Sequence, residues 1–271
     1  MTKTNKIYCI SIFILILFQY AFSEEKYIDQ TLGYDYITIN SNSLTYHNIT
    51  GLRAGLYTYP EKIKLSLQST FFNFLYGFDN EGNKKSLILK NEDIIVMYYL
   101  DEGWDIKNPF FIGINENSHI FILSCSEIQA SSEFKENSKV YSTYFLNQCK
   151  LEYPWVENDS DYGIGEYLEF TLAGKSLTSE RVFTAKGFFI FNGFISWNNQ
   201  SLYEKNSRVK KLKLLDLVTK ESWEFFLEDI PNPQYIDCSG HEGHKIRVVI
   251  DEVYEGTKYT DTCISGLILV K

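Results

Sequence analysis

The chain has 271 residues, 44 % of them hydrophobic and 16 % aromatic, and a formal charge of −9. This composition excludes a disordered polypeptide, and the acidic balance repels phosphate backbones, so no nucleic-acid partner is expected. The length suits one large core or two modest ones, and the twenty Tyr and twenty Phe favour pleated surfaces over helices.

Residues 1–23 read as an export signal. Lys3 and Lys6 precede an apolar run over residues 7–18, and Ala21-Phe22-Ser23 forms a small-x-small cleavage site ahead of Glu24 and Glu25. That run is shorter than the roughly 20 apolar residues of a bilayer-spanning helix, which favours cleavage over anchoring and a periplasmic or extracellular destination. Cys9 has no small-residue cleavage site before it, which speaks against a lipoprotein anchor. The segment holds two lysines and no acids, so its removal moves the formal charge from −9 to −11. Cys125, Cys149, Cys238 and Cys263 would then reach an oxidising compartment; of three pairings the nearest-neighbour one, 125 with 149 and 238 with 263, is preferred, and buried free thiols are the alternative. His241 and His244 stand in a Gly-rich turn, no Cys-x-x-Cys spacing exists, and both read as ordinary loop residues instead of zinc ligands.

Residues 24–120 read as a small β-rich domain. Strands are expected at 36–39, 86–89, 93–99, 110–114 and 119–123, separated by the turn chemistry of Asp79-Asn80-Glu81-Gly82-Asn83, Asp101-Glu102-Gly103 and Asn115-Glu116-Asn117. One helix is expected over 62–75, where Ile63, Leu65, Leu67, Phe71, Phe72 and Leu75 recur without a clean period. Thr50-Gly51-Leu52-Arg53, followed by Pro60, is similar to the opening of bacterial SH3-like modules that bind cell-wall material.

From residue 121 to 271 the pattern is that of short strands with polar ends. Leu168, Phe170 and Leu172 alternate with Tyr167, Glu169 and Thr171, which buries one face and wets the other. Residues 187–195 form a nearly continuous apolar run broken by Asn192-Gly193, as in a central strand or a tight hairpin. Val209, Leu212 and Leu214 share a face only if Lys210 and Lys211 occupy one outward step, which is a β-bulge. Trp223, Phe225 and Leu227, then Ile246, Val248 and Ile250, then Ile264, Ile268 and Val270 complete about eight strands, the count of an all-β jelly-roll sandwich.

The blocks SSEF, Tyr141 with Asn147, PWVEND, GIGEYLEF, FNGF, NSRVKKLKL and DEVYEGTKYTDTCIS together resemble the NADase-type glycan-binding domains of exported bacterial proteins. These are a branch of the discoidin or galactose-binding-like superfamily, and the resemblance covers about residues 121–271. It implies an eight-stranded jelly-roll sandwich and non-catalytic binding of a glycan or glycosylated surface. The chain departs from the family in Asn158-Asp159 after Trp155-Val156-Glu157 and in Gly266 after Cys263-Ile264-Ser265.

A sugar is held by an aromatic face against its C–H surface and by planar polar groups against its hydroxyls, and end loops of a sandwich supply both. Three loops are candidates. The first, 154–162, offers Trp155 and Glu157, against the reading, preferred for Trp155, that Trp155 plugs the sandwich end and Glu157 makes an ion pair; its carboxylates raise calcium as a ligand, although no known calcium-loop spacing is present. The second, 194–206, offers Trp197, Asn198, Asn199 and Tyr203, with Arg208 expected to pin it to Asp251 or Glu252. The third, 254–261, offers Tyr254, Lys258 and Asp261 and lies beside one of the other two. Sequons stand at Asn48, Asn158 and Asn199.

For catalysis the residues offer little. Glu157, Glu166, Glu169, Asp251 and Glu252 are the acids from which a glycosidase pair would come, but Glu169 points outward by its alternation; no Gly-x-Ser-x-Gly elbow or phosphate-cradling glycine pattern occurs. The sequence therefore reads as an exported, non-enzymatic carbohydrate-binding protein without a cofactor. A cell-envelope module that binds a protein partner is the alternative.

Overall fold

The computed structural model describes residues 24–29, 35–47, 62–69, 74–100, 108–176 and 181–271. The export signal, the SH3-like segment, the 101–103 turn and the Asn48 sequon lie outside the described residues.

Eight strands, β1 (Glu25–Asp29), β2 (Tyr36–Asn40), β3 (Ser43–His47), β4 (Lys62–Ser69), β5 (Leu75–Phe78), β6 (Lys84–Lys90), β7 (Ile94–Tyr99) and β8 (Phe111–Asn115), close into an antiparallel barrel. Closure comes from β1 pairing with β8, which removes the free edges that an open sheet would expose. The helix expected over 62–75 is strand β4 instead. Ile63 and Leu65 point into the barrel while Lys64 and Ser66 face water, a period of two, and Leu75 already belongs to the next strand. A window laid across two strands mixes their phases and imitates neither period.

Fourteen further strands follow: β9 (Ile122–Cys125), β10 (Ile128–Ala130), β11 (Phe134–Glu136), β12 (Lys139–Tyr141), β13 (Trp155–Val156), β14 (Tyr167–Thr171), β15 (Ala173–Ser176), β16 (Val182–Thr184), β17 (Gly187–Asn192), β18 (Arg208–Asp216), β19 (Ser222–Phe226), β20 (Gln234–Asp237), β21 (Lys245–Tyr254) and β22 (Cys263–Val270). One sheet runs β10-β14-β21-β18-β19 and the other β16-β15-β9-β22-β17-β20, with β13 added to β22 and a separate β11-β12 hairpin. The short helix α1 (Ser201–Lys205) sits between β17 and β18. The fold is thus all-β, with a sandwich after a β-rich barrel. The bulge anticipated at Lys210-Lys211 is present, because β18 shifts register against β21 between Val209 and Lys211.

The sandwich core takes alternate residues of its strands: Phe188 and Ile190 of β17, Leu267 and Leu269 of β22, and Val209, Leu212 and Leu214 of β18. The intervening residues of β17 and β22, Phe189, Phe191, Ile268 and Val270, are also buried, because they face the barrel. There they meet Leu87 and Leu89 of β6 and Ile94, Val96 and Tyr98 of β7, whose partners Ile88, Ile95 and Met97 point into the barrel. Strands covered on both faces read as continuous apolar runs, which is why 86–89, 93–99 and 187–195 show no alternation. Polar contacts lock the junction: the Tyr98 hydroxyl donates to the Cys149 carbonyl, and Lys84 Nζ donates to the Trp197 carbonyl at 3.0 Å while lying over the rings of Trp197 and Tyr76 at 4.5 and 4.7 Å.

The expected disulfides do not form. Cys125 and Cys238 are packed in the sandwich core, Cys149 in the barrel–sandwich layer and Cys263 in a small cluster with Val156 and Phe194, and all four are free thiols. Here cysteine serves as a small apolar side chain, and burial pushes the thiols of Cys149 and Cys238 up to about 12, which keeps them protonated and inert.

Phe191→Ala is expected to destabilise the full chain by about 3–5 kcal/mol, the usual cost of emptying a buried phenylalanine site. Because that side chain belongs to the layer shared by both domains, denaturant unfolding followed by tryptophan fluorescence and by far-UV circular dichroism is expected to stay coincident and shift together.

Candidate functional site

Four of the blocks that carry the family resemblance, SSEF, PWVEND, GIGEYLEF and DEVYEGTKYTDTCIS, meet in one hydrogen-bonded clasp. Trp155 is fully buried in the sandwich core and donates its Nε1–H to the Ser132 carbonyl at 2.9 Å. Both Ser131 and Ser132 donate their hydroxyls to Glu166 Oε2, the Ser132 bond at 2.6 Å, and Ser131 Oγ accepts the Tyr167 N–H at 2.8 Å. Glu157 is fully buried, and its two oxygens accept the backbone N–H groups of Thr262, at 2.9 Å, and Asp159, at 2.6 Å. Gly163, at φ +68°, passes so close that a Cβ there would stand 2.4 Å from Glu157 Cγ.

Several residues expected to touch a ligand are therefore structural. Trp155 and Glu157 have no exposed surface, and Glu157 holds amides instead of an ion-pair partner. Trp197 and Tyr203 are buried in the layer against the barrel, Tyr203 completely, where Tyr203 meets Phe74 edge-on at 5.6 Å and Trp197 meets Tyr76 edge-on at 6.2 Å. Arg208 does pin its loop, but to Asp229, through Nε–Oδ1 at 3.0 Å and Nη2–Oδ2 at 2.7 Å, while Asp251 and Glu252 pair with Lys211 and Lys210. Tyr254 is half-buried and donates to the Leu227 carbonyl at 2.9 Å. Asn198 and Asn199 are exposed, and Asn199 Oδ1 accepts the Ser201 hydroxyl at 2.6 Å.

The 254–261 loop lies beside both of its neighbours: Glu255 Oε2 accepts the Tyr162 hydroxyl at 3.4 Å, and Lys258 donates its N–H to the Lys205 carbonyl at 3.1 Å. Gly256 makes this approach feasible, since a Cβ would meet the carbonyl oxygens of Lys205 and Tyr259 at 2.4 Å each. Where these segments and the β11-β12 hairpin come together, a hollow of about 280 Å³ opens at the end of the sandwich. Its walls are aromatic: Phe134 and Tyr141 of the hairpin stand 6.1 Å apart, Phe194 meets Tyr141 edge-on at 6.2 Å, and Tyr259 closes the far side. Val156 and Leu202 add an apolar floor, and Asn206, Glu136 and Asp261 supply polar groups. Lys258 Nζ lies over the Tyr259 ring at 4.7 Å.

The profile of the NAD glycohydrolase translocation F5/8 type C domain matches residues 123–270, more than half of the chain. The chain belongs to that family. A comparison with curated proteins found no match. Of the nine ligand candidates read from the sequence, the F5/8 type C domain places Asp261 in the hollow and Lys258 at its rim, and turns the other seven elsewhere. Phe134, Glu136 and Tyr141 were missed, although Phe134-Lys135-Glu136-Asn137-Ser138-Lys139-Val140-Tyr141 carries a hairpin signal, two aromatic residues flanking an Asn-Ser turn in which Asn137 adopts φ 54°.

Burial, and then the nearby Glu136 carboxylate, raise the Asp261 carboxyl above its ordinary value of 3.8. A raised carboxyl favours the folded state fully only while protonated, so its contribution is present below pH 3.8 and is lost as pH rises through the folded-state value. Asp261→Asn is accordingly expected to melt above the parent protein at pH 7 and to show no advantage near pH 3, in thermal scans across that range.

Proposed function

We propose that this protein is an exported, non-catalytic carbohydrate-binding protein, and that its sandwich takes up part of a glycan or glycosylated surface in the end hollow. The observation that supports this most is the lining itself. Four aromatic rings offer faces and edges to sugar C–H groups, and Glu136, Asp261 and Asn206 offer acceptors and an amide for hydroxyls. A volume of about 280 Å³ suits one or two sugar rings and is at the small end of small-molecule sites.

Export is supported by the signal-like composition of residues 1–23 and by a family whose name couples the domain to translocation. A non-enzymatic role is supported by the employment of the acids weighed earlier as a glycosidase pair. Glu157 and Glu166 hold the clasp, Glu169 pairs with Lys245 and Arg247, and Asp251 and Glu252 pair with lysines.

The test is a glycan array followed by calorimetry, with the full chain because the sandwich shares an apolar layer with the barrel. Saturable uptake of a sugar is expected, with Tyr259→Ala weakening it by about tenfold, equivalent to about 1.4 kcal/mol. A full chain that takes up no sugar, yet captures an envelope protein in a manner free sugars do not disturb, would replace this function with the protein-interaction alternative.

A further inference from the structure

At the opposite end of β18 from the hollow, three potential metal donors converge. Strand β18 spans nine residues from Arg208 to Asp216, roughly 26 Å at strand rise, so these donors are remote from the aromatic walls. Asp216 is fully buried, and its Oδ2 faces two imidazoles at once, His241 Nδ1 at 2.7 Å and His244 Nδ1 at 2.6 Å. The two histidines, three residues apart in a loop, come from a different part of the chain than the carboxylate they share.

Each donor is fixed before any ligand arrives. The second oxygen of Asp216 accepts the backbone N–H groups of Val218, at 2.7 Å, and Thr219, at 3.0 Å, which sets the carboxylate plane. The His241 ring lies flat on Trp223, with centroids 4.4 Å apart and 12° between planes, and Glu221 Oε2 stands 3.9 Å from its outer Nε2. The loop backbone is tied as well: His241 N–H donates to Cys238, His244 N–H donates to His241, and the His244 carbonyl accepts from Leu172. Gly240 and Gly243, at φ +91° and +84°, provide the two reversals that point both imidazoles to the same side.

We propose that Asp216, His241 and His244 form a binding site for a divalent transition-metal ion, Zn2+ above all. Imidazole nitrogens with one carboxylate are the donors such ions prefer, whereas Ca2+ and Mg2+ require oxygen-rich shells. Their ligating atoms lie within 4.8 Å of one another. A tetrahedral ion with arms of about 2.0–2.1 Å holds its ligands about 3.3 Å apart, so each imidazole must back away from Asp216 Oδ2 by about 0.6–0.7 Å, while the two imidazole donors, which lie within 4.8 Å of each other, settle to the same spacing. Both histidines would bind through Nδ1 as neutral imidazoles that carry their proton on Nε2, any proton lost from an imidazolium passing to solvent, and the fourth position is left for water on the side of His244, which is 32 % exposed. The surroundings already supply what outer partners of metal sites supply, amides orienting the carboxylate and a carboxylate, Glu221, beside the outer nitrogen of a ligating histidine.

The competing account is a hydrogen-bonded cluster that merely ties the loop to β18, and the two are separable. The full chain, stripped by chelator dialysis, is titrated with Zn2+ by equilibrium dialysis and with Co2+ followed in visible absorption. One saturable ion per chain and the strong visible bands of four-coordinate cobalt are expected. His244→Gln and His241→Gln, each able to keep a hydrogen bond to Asp216, should weaken uptake at least about tenfold, while His119→Gln leaves it unchanged. Circular dichroism and melting of each variant without metal show whether it has folded, and two histidine variants are used because Asp216 itself holds the turn. Absence of saturable zinc uptake by the parent chain, or uptake undiminished in both folded histidine variants, would overturn the site.

Discussion

The structure depends on a sheet that must be covered on both sides. Strands β17 and β22 alternate between the sandwich core and a second apolar set, Phe189, Phe191, Ile268 and Val270, that has no place in water. Uncovered, the second face would be the kind of contiguous apolar patch that soluble proteins rarely expose. The barrel supplies the cover with β6 and β7, themselves apolar on both faces, so each domain completes the other's core. Lys84, half-buried between Tyr76 and Trp197, lies at the margin of this layer, where desolvation lowers the pKa of its ammonium group.

Within the sandwich, the most recognisable residues hold the frame and the less recognisable ones line the hollow. Ser131, Ser132, Trp155, Glu157 and Glu166 exchange hydrogen bonds among loops that would otherwise leave polar groups buried and unpaired. Their demands on geometry are strict, which gives their sequence blocks a definite form. The lining residues have only to present a ring or a carboxylate toward a space. Asn192 works in the same way between the two sheets, donating to the Val209 carbonyl at 2.7 Å and accepting the Val209 N–H at 2.9 Å.

Much of the architecture was legible because period-two burial is written directly into side-chain order. The alternation at 246–250 and the break at Lys210-Lys211 became a strand and a bulge as expected. The helix over 62–75 failed because two strands were read as one element, and the disulfides failed because oxidising export and apolar burial both account for cysteines in a sequence. Trp197 and Tyr203 were misplaced for a related reason: an aromatic residue in a polar loop is equally well suited to plug a core or to stack on a sugar, and only Trp155 was read with the plug preferred, as it stands. His241 and His244 looked unremarkable because Asp216, the group that gathers them, lies 25 and 28 residues away. Three-dimensional convergence of that sort leaves no local spacing to read.

The five-stranded sheet faces the other way, and its outer surface is tiled by charges that cancel: Glu169 with Lys245 and Arg247, Lys211 with Glu224 and Asp251, and the Arg247 guanidinium stacked on Tyr167. One broad flank is thus occupied by the barrel and the other is electrically quiet. What remains for a visitor is the tip. On the proposed function, a long polysaccharide would be gripped by its terminus or by a protruding branch, end-on, and would not lie along the side of the molecule.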